Sequence, residues 1–174
     1  MSGTAAPAAD TAAPPTRWLR AFLIVVAILE ALDGITKMII LFGGDPEVPG
    51  PGWGGWAITS ELALSFPLAM VALFFLIKRD LRRAIAALAG IGLVRWISLL
   101  PSVAIHPAEF PGTGLIGLVV YMQVMIFPLL MLMALALCWK NERLTLAGIL
   151  TSLPTITNWL GVAAFAISIA IYGF

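Results

Sequence analysis

Long apolar stretches dominate this chain and limit the folds that are open to it. Five of them approach the roughly 20 residues that an α-helix needs to cross the hydrocarbon layer of a membrane. Proline, glycine and charged residues separate them, as expected of connections. The stretches lie at about 19–42, 57–77, 84–105, 115–138 and 153–173. The sequence therefore predicts an all-α, polytopic transmembrane helix bundle with five spans.

The composition supports a membrane environment. Of the 174 residues, 61% are hydrophobic and only 11% are charged, whereas soluble domains carry about 25% charged residues. The formal net charge of +1 offers no basic surface for nucleic acid, so the lipid bilayer is the expected partner. With one cysteine and one histidine, a single chain cannot build a disulfide or a cysteine-based metal site. We predict no metal and no other cofactor.

The two ends of the chain differ in character. Residues 1–16 consist mainly of Ala, Pro and Thr, and this composition predicts a disordered tail before a single transmembrane domain at 17–174. Near the other end, the segment LTLAGILTS precedes the last apolar stretch. It could form the first turns of a long tilted helix or a short helix in the membrane interface. Pro154 favours a break or kink there.

Basic residues in the connections set the expected orientation. Asp45, Glu47 and Glu109 lie in the connections on one side, which contain no Lys or Arg. Because cytoplasmic loops of membrane proteins are enriched in Lys and Arg, we predict a bacterial inner-membrane protein with a cytoplasmic N-terminus and a periplasmic C-terminus. If there are five spans, the N-terminal segment and two of the connections lie on the same side of the membrane. They contain eight of the ten basic residues: Arg17, Arg20, Lys78, Arg79, Arg82, Arg83, Lys140 and Arg143.

Five ionisable residues fall inside the apolar stretches: Glu30, Asp33, Lys37, Glu61 and Arg95. Charges are expensive inside a membrane, so each is a candidate functional residue. At about 100° per helical residue, Glu30 and Lys37 lie about 20° apart, and Asp33 lies about 60° from Glu30. The first span therefore has one charged stripe, which we expect to face the interior of the bundle.

Depth in the membrane predicts which of these charges meet. At about 1.5 Å per residue, Glu30 and Arg95 lie near the middle of their spans, whereas Lys37 and Glu61 lie nearer the outer ends. We therefore predict that Arg95 pairs with Glu30 or Asp33, and that Lys37 pairs with Glu61 or Asp33. The planar guanidinium of Arg95 suits the deeper position because it can bind two carboxylates and stays charged.

The charges in this cluster do not balance, since three carboxylates face two cations. An uncompensated carboxylate in a low-dielectric environment tends to take up a proton, so the count predicts one protonated carboxyl group. Gln123 and Asn158 are candidate polar neighbours. Three interpretations of the cluster stay open: structural pairing that fixes helix register, a pocket for a small polar or amphipathic ligand, and proton, ion or redox chemistry.

One run of residues resembles a known family. The segment LRRAIAALAGIGLVRWISLLPSV (81–103) contains the pattern G-x-x-R-x-x-S at Gly92, Arg95 and Ser98, and the first span contains Gly34 and Lys37. These features resemble the small DoxX-like bacterial membrane proteins, which include families of unknown function. The resemblance implies a four-helix core around a central polar site, here with one additional span. Some DoxX-like proteins are associated with redox or quinone-linked membrane complexes. An association of this chain with such a complex is therefore one function that the resemblance implies.

The sequence favours a function without catalysis. It contains no nucleophile elbow, catalytic triad or dinucleotide-binding fingerprint. We predict an accessory subunit of a membrane complex or an orphan helical bundle with a buried charged site. One alternative is a membrane redox protein that handles a quinone or lipid at Glu30, Asp33 and Arg95. Another is a small transporter or channel that acts as an oligomer, although no inverted repeat is evident.

Overall fold

The computed structural model describes residues 15–43, 52–105 and 114–173. Within these ranges the chain is helical and forms no strand, so the predicted all-α class is confirmed there. The connections with Asp45, Glu47 and Glu109, and most of the predicted tail, lie outside the described residues. The elements are α1 (Pro15–Phe42), α2 (Trp53–Ile77), α3 (Leu81–Ile105), α4 (Gly114–Tyr121), a π-helical segment (Met122–Ile126), α5 (Phe127–Lys140) and α6 (Leu144–Tyr172).

Four of these helices are long and apolar enough to cross a membrane. They cover Trp53–Ile77, Leu81–Ala104, Gly117–Lys140 and Leu144–Ile171. Helix α1 has 28 residues and is long enough, at about 1.5 Å per residue, but every 18-residue stretch of it contains three or more charged residues. Whether α1 can cross a membrane therefore depends on how its charges are compensated.

The helices pack into a closed bundle. Helix α1 contacts α2, α2 contacts α3, α3 contacts α5, and α5 contacts α6, which returns to contact both α1 and α3. Helices α4 and α5 and the π-helical segment between them run without interruption and form one rod. Large apolar side chains such as those of Ile39, Ile77 and Leu129 are at least 66% exposed on the outside. Such a surface is suited to contact with lipid.

The interior of the bundle has two layers. The apolar core fills the layer next to the α2–α3 and α5–α6 turns, and it includes Leu23, Leu76, Ile85 and Cys138. The ionisable residues form the next layer, towards the far end of the same helices. The chain therefore separates its apolar core from its charges along the bundle axis.

Two helices begin before the apolar stretches that predicted them, and the second confirms one of the two alternatives given for LTLAGILTS. Helix α1 begins at Pro15, inside the predicted tail, because proline is well suited to the first position of a helix. Helix α6 begins at Leu144 and passes through Pro154 without a break, so LTLAGILTS forms the first turns of a long helix. Thr151 and Thr155 on either side of Pro154 are buried, and packing of this kind lets a transmembrane helix tolerate a proline.

The π-helical segment was not predicted from the sequence. Pro128 follows it and lacks the N–H that would donate to the carbonyl of Val124 in an α-helix. The indole Nε1 of Trp96 donates to that carbonyl at 2.9 Å, which joins α3 to the α4–α5 rod. Single π-helical turns occur frequently at functional sites, and this one is bonded to Trp96, the residue directly after Arg95.

Candidate functional site

The charged stripe of α1 faces the neighbouring helices as the periodicity predicted. Glu30 is only 3% exposed. The side chains of Asp33 and Lys37 are 23% and 16% exposed. These low values show that these three charges of α1 face the interior, where they need partners from other helices.

Arg95 on α3 supplies the first partner. Its Nη2 lies 2.9 Å from Glu30 Oε2 and 2.8 Å from Asp33 Oδ2, and its Nη1 lies 3.4 Å from Glu30 Oε1. One guanidinium thus binds two carboxylates, and such charge-assisted hydrogen bonds are stronger than neutral ones. The pairing predicted from depth is present with both carboxylates.

Lys37 supplies the second partner. Its Nζ lies 2.9 Å from Asp33 Oδ2 and donates to Glu61 Oε1 on α2. Glu61 Oε1 in turn lies 3.7 Å from Arg95 Nε. Asp33, Lys37, Glu61 and Arg95 therefore alternate in charge around a closed circuit, and Glu30 joins it through Arg95. We call these five side chains the ion ring.

Two buried hydroxyl groups complete the ion ring. The Ser98 hydroxyl donates to Glu61 Oε2, and the Thr155 hydroxyl donates to Glu30 Oε1 at 2.6 Å. Thr155 lies on α6, so the network joins α1, α2, α3 and α6. Neither residue was assigned to the charged site from the sequence. Ser98 could have been, because it is three residues after Arg95 and therefore on the same helix face.

The two predicted polar neighbours differ in their placement. Gln123, in the π-helical segment, lines a small cavity next to Arg95. Asn158 is half-buried on α6 and makes no hydrogen bond among the described residues. The structure therefore brings Gln123, but not Asn158, to the charged site.

The cavity beside Arg95 is small. It has a volume of about 20 Å³, which is enough for about one water molecule. Pockets that bind small molecules have volumes of about 300–1,000 Å³. The described residues thus leave room for water beside the ion ring and not for a quinone head group. The cavity is lined by Gly92, Arg95, Trp96, Leu99, Gln123, Phe127 and Pro154.

The chemistry of the ion ring is that of a closed set of ion pairs. All three carboxylates contact a cation, and Glu30 and Glu61 also accept a hydroxyl hydrogen bond. In the described ranges, no group of three or more His, Cys, Asp or Glu residues is arranged to hold a metal ion. The geometry is suited to fixing four helices relative to one another.

Known proteins give no further guide to this site. No protein-family model matches the chain, and neither a curated protein nor a solved structure matches it. Function is therefore inferred from the ion ring and from the surface of the bundle.

Proposed function

We propose that this chain is a five-span integral protein of a bacterial inner membrane, with its N-terminus in the cytoplasm and its C-terminus in the periplasm. The clustering of Lys and Arg at one end of the bundle supports this orientation. Tryptophans at both ends support the span positions, because Trp favours membrane interfaces. Trp18 and Trp139 are 50% and 83% exposed at the basic end, and Trp53 and Trp56 are 62% and 73% exposed at the other.

The ion ring is what allows α1 to serve as the fifth span. Three of its charges would be expensive in contact with lipid. In the bundle, however, Glu30, Asp33 and Lys37 each contact an oppositely charged side chain. The charges that lower the apolar character of α1 are thus paired inside the protein.

The ion ring then has a purely structural role, which we call a structural lock: it holds the helices that it joins in a fixed arrangement. The protein itself has no catalytic activity and is either an accessory subunit of a larger membrane complex or an orphan bundle. One observation carries this proposal: every carboxylate of the ring is paired, beside a cavity of only about 20 Å³. A site that binds and releases a substrate needs polar groups that are free to exchange partners. The described residues of the ring have no such free group.

Membership of the DoxX-like proteins remains part of this proposal. Arg95, Ser98 and Lys37, which carry the resemblance, belong to the ion ring or donate to it. Gly34, which also contributes to the resemblance, lies where α1 meets α2. The proposal is a DoxX-like bundle with one additional helix, in which the shared residues build the polar layer.

A second candidate function is the binding of a quinone or lipid. Two observations favour it: Gln123 and Arg95 meet at a cavity next to a π-helical segment, and the buried indole Nε1 of Trp159 has no hydrogen-bond partner among the described residues. A buried unpaired donor calls for a missing water or ligand. This function requires the cavity to widen when the ligand binds.

Purification of the full chain in a mild detergent distinguishes the two candidates. A structural role predicts no stoichiometric quinone in a solvent extract of the purified protein, and an accessory role adds a protein that co-purifies in constant ratio. Gln123→Leu should leave both results unchanged, as should the control Asn158→Leu on α6. A bound quinone that is lost in Gln123→Leu and retained in Asn158→Leu would instead establish the ligand-binding function.

A further inference from the structure

A second polar feature lies at the opposite end of the apolar core from the ion ring. Arg17 and Arg20 from the first turns of α1, together with Arg79 and Leu81 from the α2–α3 turn, line a cavity of about 360 Å³. Its volume lies within the range of about 300–1,000 Å³ that is typical of small-molecule pockets. The cavity is therefore lined by three arginines and one apolar residue.

No carboxylate neutralises these three arginines within the described part of the chain. Asp80, which is next in sequence, pairs with Arg83 at 3.4 Å and accepts a hydrogen bond from the Arg83 backbone N–H at 3.1 Å. Arg20 Nε donates to the Leu76 carbonyl at 2.8 Å. This bond fixes the guanidinium and leaves its two terminal nitrogens available to a ligand.

Arg79 differs from the other basic residues of its turn. Lys78 lies over the Phe74 ring at 5.8 Å, and Arg82 donates to the Trp139 carbonyl at 3.3 Å, while Arg83 pairs with Asp80. Each of these three has a partner outside the cavity. The guanidinium of Arg79 has no partner among the described residues and lines the cavity instead.

The backbone of Arg79 adopts a conformation that usually selects glycine. Its φ is +63°, and it ends α2 through two bonds, from Arg79 N to Leu76 O at 3.2 Å and from Asp80 N to Phe75 O at 2.9 Å. Glycine is the usual residue at this position because it has no β-carbon. An arginine here keeps a charged side chain at the cavity although glycine would suit the backbone better.

We propose that this basic cavity binds a phosphate group, supplied by the head group of an anionic phospholipid. Arginine forks match phosphate oxygens with paired hydrogen bonds, and basic pockets at the cytoplasmic side of transmembrane helices bind anionic head groups. Leu81 gives the cavity one apolar lining residue that could contact an acyl chain. Access to lipid rests on the membrane orientation proposed above, but the site does not depend on the role of the ion ring.

Native mass spectrometry of the full chain in detergent, titrated with phosphatidylglycerol or phosphatidylcholine, tests this site. The wild type should bind phosphatidylglycerol more tightly. Arg17→Gln and Arg79→Gly should each weaken that binding about five-fold, whereas the matched control Lys78→Gln, next to the cavity but outside it, should weaken it less than about two-fold. The lipid-free melting temperature of Arg79→Gly should stay equal or rise, because glycine suits a φ of +63°.

Two results would overturn the proposal. Equal losses of affinity in Lys78→Gln and in the two cavity variants would mean that phosphatidylglycerol binding depends only on the total positive charge at this end of the bundle. The second is full displacement of the lipid by millimolar inorganic phosphate, which would assign the cavity to free phosphate. Retention of phosphatidylglycerol under that competition, together with the difference between variants, supports the lipid site. Because the titration is done in detergent, a negative result would refute the lipid site without bearing on the proposed membrane orientation.

Discussion

Arg95→Leu is expected to lower the free energy of unfolding by about 3–5 kcal/mol, the range for removing one partner from a buried ion pair. Arg95 contacts Glu30 and Asp33 at 2.9 and 2.8 Å. Without it, Asp33 and Glu61 share the single remaining cation, Lys37, and Glu30 keeps only the hydroxyl of Thr155. Uptake of a proton by a carboxylate would offset part of the loss. Denaturant titration in one detergent measures the effect.

Adding Glu30→Gln to Arg95→Leu should recover most of that loss. The wild-type ion ring has a formal charge of −1, from its three carboxylates and two cations. Arg95→Leu makes the charge more negative by one, and Glu30→Gln restores it, while the amide oxygen can still accept from Thr155. A structural lock predicts that both folding and the assembly of any co-purifying complex return. Recovery of folding without assembly would show that the ion ring is a working site.

The control for Arg95 is Arg82→Leu, which makes the same chemical change at an exposed position outside the ion ring. Exposed substitutions usually change stability by no more than about 0.5 kcal/mol. If Arg95→Leu alters the free energy of unfolding no more than Arg82→Leu does, the pairs with Glu30 and Asp33 contribute nothing to stability. The structural-lock proposal would then be abandoned.

Gly34→Ala should destabilise the bundle by about 1–3 kcal/mol, the range for overpacking a close contact. A β-carbon at Gly34 would lie 2.7 Å from both the Cα and the N of Phe66 on α2. These are backbone atoms and cannot rotate away, so α1 and α2 would have to separate. The separation would also strain the nearby contact between Lys37 and Glu61. The same denaturant titration measures this change.

Gly90→Ala on α3 is the matched control for this close approach. Its β-carbon would meet only Leu68 Cδ1 at 3.8 Å, an ordinary van der Waals distance. Because alanine favours a helix over glycine by about 0.5–1 kcal/mol, Gly90→Ala should be neutral or stabilising. Similar losses of stability in Gly34→Ala and Gly90→Ala would show that the loss does not arise from the close approach of α1 to Phe66.

The five members of the ion ring and four of its pairs could be predicted from the sequence because they follow from properties of single helices, whereas the contact between Arg95 and Glu61 was not predicted. Periodicity places Glu30, Asp33 and Lys37 on one face of α1, and the rise per residue gives each charge a depth. Oppositely charged side chains at the same depth must then pair with each other if they are to avoid contact with lipid. This reasoning needs no knowledge of how the helices are arranged around the bundle.

The rest of the site depends on that arrangement. Thr155 reaches Glu30 only because α6 crosses beside α1, and no local pattern specifies the crossing. The π-helical segment reflects a bond between Trp96 on α3 and the carbonyl freed by Pro128. The size of the cavity beside Arg95 depends on residues from four different elements, namely α3, the π-helical segment, α5 and α6. The uninterrupted course of α6 likewise reflects packing around Pro154, whereas proline alone favoured a break.

The central claim is that α1 crosses the membrane because its charges are paired within the bundle, and the sidedness of its two ends tests this most directly. Single cysteines at Ser2, Gly50 and Glu142 are introduced in a Cys138→Ala background and treated in intact cells with a membrane-impermeant maleimide. The account predicts that Gly50→Cys reacts from outside, while Ser2→Cys and Glu142→Cys react only after the inner membrane is permeabilised. Reaction of both Ser2→Cys and Gly50→Cys from the same side would show that α1 does not cross, and it would contradict the account.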